Sequence, residues 1–211
     1  MRINRTTRAL GAVTLTLGLT LSACGNDDGD SNTTDSQVSS TEHNDADVAF
    51  AADMMQHHAQ ALVMVDMTMN RDLDPEVQQL AEDIRAAQGP EIETFTDWLT
   101  DWDEEVPETM RDHGNAGHDM GDMDGMGDAM EGLDTDMPGM MSADDMTALN
   151  DAPDADFQTM WLEMMVEHHE GAVEMAQTET ENGQYKPAID LAEDIASSQS
   201  AEIETMKGLL G

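Results

Sequence analysis

Two stretches decide the fold: FAADMMQHHAQALVM at residues 50–64 and WLEMMVEHHEGAVEM at residues 161–175. They open a longer ungapped match in which Phe50–Leu99 aligns with Trp161–Leu210 at an offset of 111, with 16 of the 50 positions identical. Met54, His57, His58, Ala61 and Met64 fall on Met165, His168, His169, Ala172 and Met175. Downstream, the LAEDI of Leu80–Ile84 falls on Leu191–Ile195, Gln88 on Gln199, and the EIET of Glu91–Thr94 on Glu202–Thr205. Self-similarity at a fixed offset means that one supersecondary unit is used twice.

Each unit reads as two helices. Phe50, Met54, His57, Ala61, Met64 and Val65 recur at three- and four-residue steps, so at about 100° per residue they share a face. The pattern predicts a helix from about Asp47 to Asn70. Asp74 before Pro75 supplies an N-cap and a first-turn proline for a second helix reaching about Trp102. Its inward stripe is expected to be Leu80, Ile84, Ala87, Glu91, Phe95 and Trp98, with Gln88 on the shoulder and a bend at Pro90. The second unit predicts a helix from about Asp154 to Glu181, a stop at Gly183, and a last helix opening near Lys186-Pro187. Two hairpins that each carry one apolar stripe hide it against one another, which makes an all-α four-helix bundle. No segment alternates as a strand.

Outside the repeat the texture changes. Arg2, Arg5 and Arg8 precede a mildly apolar run from Ala9 to Leu21 and then Leu21-Ser22-Ala23-Cys24. A basic start, an apolar stretch too short to span a bilayer and small residues before a cleavage point describe an export signal. Leu-Ser-Ala-Cys resembles a bacterial lipobox, whose cysteine is lipidated and becomes the mature N-terminus. The expected division is a leader at 1–23, a flexible polar tether at 24–45, a first hairpin at 46–106, a flexible Met/His/Asp/Gly-rich segment at 107–146, and a second hairpin at 147–211. The tether has almost nothing apolar to offset the entropy of ordering. The product would be an extracytoplasmic protein of the cell envelope held to the membrane by Cys24 and its lipid.

Composition narrows the chemistry. The formal charge is −38, from 8 Lys+Arg against 46 Asp+Glu, which repels phosphate backbones and argues against any nucleic-acid partner. Without the three leader arginines the balance is 5 basic against 46 acidic residues, or −41. One cysteine cannot form an internal disulfide or a thiolate zinc cluster. There are 20 methionines and only 7 aromatics. Nine of the methionines lie from Met110 to Met146, and Leu133 is the only large aliphatic between Arg111 and Thr147, so no core stripe accounts for these sulfurs. Thioether sulfur is a soft, uncharged donor suited to Cu(I) and Ag(I) and poorly suited to hard cations. His113, His118, Met120, Met123, Met126, Met137, Met140 and Met141 are therefore candidate copper ligands. The alternative is an acidic low-complexity linker in which methionine is incidental.

The paired histidines are the second candidate. Adjacent residues lie 100° apart on a helix, so His57 and His58 straddle the inward stripe, as do His168 and His169. Buried imidazoles require partners. Those partners are expected to be Glu91 and Glu202 on the following helices, or Asp47 on the face of Met54 and His58. Met54 and Met165 stand one turn before each pair, and Met64 and Met175 two turns after. A purely structural His–Glu network explains the same pattern, and methionine is ordinary core filler when taken alone.

The motif Phe-x3-Met-x2-His-His-x2-Ala-x2-Met, present from Phe50 to Met64 and with Trp161 in place of phenylalanine from Trp161 to Met175, resembles the ferritin-like family catalogued as domain of unknown function 305. The downstream Ala-Glu-Asp-Ile-x3-Gln-x2-Glu-Ile blocks and Met137-Pro138-Gly139-Met140-Met141 resemble it too. The likeness covers about Asp45 to Leu210. It implies an exported four-helix bundle, with copper binding and copper tolerance outside the cytoplasm in some members. It also implies His57, His58, His168, His169, Met54, Met64, Met165 and Met175 as ligands. Asp47 matches an acidic position of the motif, whereas its counterpart is Gln158, which implies a second site that is weaker or lacks a carboxylate. A protein with this role buffers or chaperones its ion, most simply Cu(I), and passes it to a copper-transport or efflux partner. A homo-oligomer is compatible with the same bundle.

Two other readings compete. Di-iron and di-manganese oxidases of ferritin-like bundles use Glu-x-x-His. The sequence contains none, Met54 and Met165 standing three residues before His57 and His168, so enzymatic activity is not expected. The other is an acidic structural or interaction lipoprotein with no specific metal.

Overall fold

The computed structural model describes residues 38–111 and 137–211. The leader, Cys24, the tether up to residue 37, and His113, His118, Met120, Met123 and Met126 lie outside the described residues. The chain forms helices α1 (Asp45–Asp66), α2 (Pro75–Asp101), α3 (Ala143–Asp151), α4 (Asp154–Asn182) and α5 (Lys186–Leu210). Among the described residues the only β pairing is an isolated bridge between Ser39 and Tyr185. The four long helices make the expected bundle: α1 packs on α2, α4 on α5, and α1 on α4.

Capping explains where the helices begin. Asn44 accepts from the amides of Ala46 and Asp47, and Asp47 accepts from the amide of Asn44, a closed capping box. Pro75 and Pro187 occupy first-turn positions of α2 and α5, where a missing N–H removes no hydrogen bond. Helix α1 stops at Asp66, short of the expected Asn70. Thr68 turns its hydroxyl back onto the Val65 carbonyl, and Asn70 takes a positive φ of 65°, which a helix does not tolerate. Helix α2 continues through Pro90 to Asp101.

The inward side of α2 differs from the expected stripe at two places. Gln88 is buried and Ala87 exposed, and Leu99 is buried where Trp98 was expected. Four-residue steps from Leu80 through Ile84 and Gln88, resumed from Phe95 to Leu99, track the core side more closely. Trp98 instead joins a rim of rings, edge-on to Phe95 and Tyr185 and stacked near Trp102.

The largest difference lies between the hairpins. The expected flexible segment ends in ordered structure: α3 opens on a Ser142–Asp145 capping box and packs on α4. Met110, Met141 and Met146 are buried in the same cluster as Met64, Leu149, Trp161 and Met165, and Met137 is buried as well. Core burial therefore does account for those four sulfurs. The sequence concealed this because Met146 and Leu149 are the only buried side chains of a short, acidic helix. With this layer added, α1 is buried on every side from Met54 to Val65, not on one face. Arg71 fastens the layer: its guanidinium donates to the carbonyls of Asn150 and Ala152, pairs with Asp154 and lies 3.9 Å over the Phe157 ring.

Candidate metal centre

The repeat positions α1 and α4 antiparallel across a local dyad. At one end of the crossing the Trp161 indole donates to the Met64 carbonyl at 2.9 Å. At the other, Phe50 and Met175 line one cleft. At its centre the rings of His57 and His168 face each other with centroids 3.8 Å apart, tilted by 41°. Because neighbouring residues on a helix diverge by 100°, His58 and His169 turn outward to α2 and α5. His58 Nε2 lies 2.8 Å from Glu91 Oε2, and His169 Nε2 lies 2.8 Å from Glu202 Oε2. All four imidazoles are fully buried.

These contacts assign tautomers. A carboxylate only accepts, so His58 and His169 carry a proton on Nε2, and in the neutral ring this leaves Nδ1 as a bare lone pair. His57 Nε2 donates to the Pro138 carbonyl at 3.0 Å, with the same consequence. Among the described residues, Nδ1 of His57, His58 and His169 and both ring nitrogens of His168 have no hydrogen-bond partner. The buried amides of Gln88 and Gln199 add further unpaired atoms. Buried polar atoms are normally satisfied, so these imidazole nitrogens are bare lone pairs that a ligand in the core could use. A metal-ligating histidine typically donates its second N–H to a carboxylate or a carbonyl, which is what three of these rings do.

Electrostatics keeps the facing rings neutral. Burial first, and then the neighbouring His58, push His57 down to about 3, against the opposing pull of the Pro138 carbonyl. Burial, followed by His57 and His169, holds His168 well below the ordinary value of 6.5. Both rings are unprotonated bases in neutral solution.

The thioethers flank this polar layer on two sides. Met54 is buried in a cluster with Phe50, Phe95 and Ala176, against which the half-buried Met175 packs. Met64 and Met165 are buried together in the other cluster. The bundle thus sets one methionine from α1 and one from α4 on either side of the histidines. Met137 and Met141 are buried in the segment crossing the bundle, and Met140 is half-buried. Among the described residues no three His, Cys, Asp or Glu side chains converge as a metal cage. The donors brought together are imidazole nitrogen and thioether sulfur, a set that fits a low-coordinate soft ion.

Three candidates take other places. Glu91 and Glu202 hold histidine protons and orient the rings. Asp47 does not join His58: its carboxylate accepts from the backbone N–H groups of Asn44, Gln184 and Tyr185, tying the start of α1 to the α4–α5 turn. Beside it stands Glu179, which sequence reasoning missed. Burial, and then the hydrogen bond to and charge of Asp47, push its carboxyl up to about 8. Gln88 and Gln199 were visible in the repeat, but their burial was not. Pro138 stood in the Met137–Met141 stretch that resembles the family, but its contribution is a backbone carbonyl, which no side-chain pattern marks.

The family described as "Domain of unknown function (DUF305)" matches residues 47–210. The chain belongs to this family. Solved structures resemble this DUF305 chain over most of its length. A DUF305 protein from Streptomyces coelicolor, described as a candidate secreted protein, is 31% identical with a TM-score of 0.63, covering 78% of this chain and 91% of the other. A DUF305 fragment from Deinococcus radiodurans is 27% identical with a TM-score of 0.63, covering 80% and 97%. CopM in its Cu(II)-bound form is 29% identical with a TM-score of 0.58, covering 78% and 95%. CopM is also solved in Cu(I)-bound and Ag-bound forms. Among curated proteins none matches the chain.

Proposed function

We propose that this DUF305 chain binds copper as cargo, chiefly Cu(I), at the His/Met layer between α1 and α4, and buffers or chaperones it outside the cytoplasm. The observation that carries the reading is the set of buried imidazole nitrogens left without partners where the two repeats meet. Support comes from the flanking thioethers, from the neutrality of His57 and His168, and from the likeness to CopM, which is solved with copper and silver. Methionine and neutral imidazole favour Cu(I) over hard divalent cations. The described methionines of the crossing segment and the Met/His stretch at 113–130 extend the same donor chemistry. Export fits the basic leader and the neighbour from Streptomyces coelicolor, and Cys24 is the proposed lipid anchor. We propose a carrier and not an enzyme, since Glu-x-x-His is missing from the sequence.

The test is an anaerobic Cu(I) titration of the chain from Gly25 against a chromophoric chelator, with and without residues 113–136. The deletion stops at 136 because Met137, Met141 and Met146 beyond it are buried. Tight binding that survives the deletion and disappears on replacing His57, His58, His168 and His169 is the expected result. Binding no tighter than that of a methionine-free acidic protein overturns the proposal.

A further inference from the structure

The repeat makes His58–Glu91 and His169–Glu202 equivalent, yet it leaves His57 and His168 in different surroundings. The difference originates at positions 60 and 171, which the offset of 111 also makes equivalent but which hold glutamine and glycine. Gln60 is fully buried, and its amide grips the backbone of Met141 in both directions: Nε2 donates to the carbonyl at 2.9 Å, and the Met141 N–H donates to Oε1 at 2.7 Å. Gly171 leaves a groove on α4 for the same segment, since a Cβ there would lie 2.1 Å from the Pro138 oxygen and 2.7 Å from Gly139 Cα. Gly139 fits it with a φ of +75° and sits against the carbonyls of Glu167 and His168. Residues 137–141 form a strap laid backbone to backbone on α4 and clamped to α1.

What the strap delivers is the Pro138 carbonyl, 3.0 Å from His57 Nε2. Pro138 also lines a cleft of about 260 Å³ together with Phe50, Asp53, Glu174 and Met175. We propose that Gln60 and Gly171 are positioning residues for the copper layer. Acting through the strap, they hold the His57 proton on Nε2 and present Nδ1 as the donor, a constraint that the strap does not place on the His168 ring. The proposal rests on the copper reading above for its effect on affinity. Its structural half, the His57 tautomer, stands independently.

The experiment uses the full chain with ¹⁵N-labelled histidine, comparing wild type with Gln60→Leu and Gly171→Ala by long-range ¹H–¹⁵N correlation spectra and by anaerobic Cu(I) competition. Metal-free wild type should show His57 protonated on Nε2. Both variants should lose that fixed tautomer, and Cu(I) affinity should fall about tenfold or more, the usual effect of removing a group that orients a ligand. His58 and His169, held by Glu91 and Glu202, should keep their tautomers, which reports that the bundle is still folded. A fixed His57 tautomer in both folded variants, or its loss with unchanged Cu(I) affinity, overturns the proposal. If the variants fail to fold, wild type alone decides: a His57 proton on Nδ1 overturns it. Absence of Cu(I) binding by wild type defeats the copper reading, while the tautomer result still decides the strap's hold on His57.

Discussion

His57 and His168 are the same position of a duplicated unit, face each other at 3.8 Å between ring centroids, and are not chemically alike. One donates a proton to the Pro138 carbonyl of the crossing segment, and the other has only the His57 backbone near its ring. Duplication brought two identical motifs to a dyad, and a segment from outside the repeat then distinguished them.

Burial of these two rings couples folding to acid. In the unfolded chain they titrate near 6.5, and in the folded protein His57 does so at about 3 and His168 also far lower, so below 6.5 the unfolded state takes up protons that the folded state refuses. Their contribution is complete above 6.5 and is lost as pH falls towards 3. Glu179 acts in the opposite sense, rising from 4.5 to about 8, so its contribution is complete below 4.5 and is lost as pH rises to 8. Denaturant unfolding of the metal-free protein should find these groups giving maximum stability near pH 6.5. Glu179→Gln, which keeps a donor for Asp47, should remove the alkaline loss.

The same depressed values mean that protons do not compete for the facing rings in mildly acidic solution. Cu(I) affinity should change less than about threefold between pH 5 and 7, whereas a site of ordinary histidines titrating near 6.5 weakens clearly over that range. Competition titrations at fixed ionic strength measure this directly, and a steep loss below pH 6 counts against His57 and His168 as the donors.

Glu91 and Glu202 hold equivalent histidines at equal distances, and in the proposed copper site they would orient those rings. Glu91→Gln and Glu202→Gln should each weaken Cu(I) binding by about 10–100-fold while leaving the far-UV circular dichroism unchanged. The two losses should be similar. A large difference between them would show that only one half of the repeat holds the ion.

The buried layer at the C-terminal end of the Met-rich stretch is structural. Met146 and Leu149 are fully buried, so Met146→Ala should cost about 2–5 kcal/mol in urea unfolding. Removing residues 113–136 should cost far less than removing 113–146. Equal stability of the two deletions would contradict the packing of Met137, Met141 and Met146.

Much of the bundle was legible because it is written in periodicity. The hairpins follow from apolar steps of three and four and from prolines at first-turn positions, and the pairing of His58 with Glu91 and of His169 with Glu202 follows from two shared inward faces. What escaped did so for three separate reasons. Helix α3 has too little apolar surface to announce itself, Gln88 was displaced from its expected place by a small rotation of α2, and Asp47 lost its assigned role because backbone N–H groups from residues 184 and 185 claimed its carboxylate.

The sequence by itself determined the duplicated plan, the four long helices and the presence of two His-His pairs, because each depends on spacing along one helix or on identity between two segments. Only the tertiary structure decided which imidazoles meet, which nitrogen of each is left bare, and that Pro138 reaches one of them. Those outcomes depend on how helices distant in sequence cross and on a backbone carbonyl that no side-chain pattern encodes.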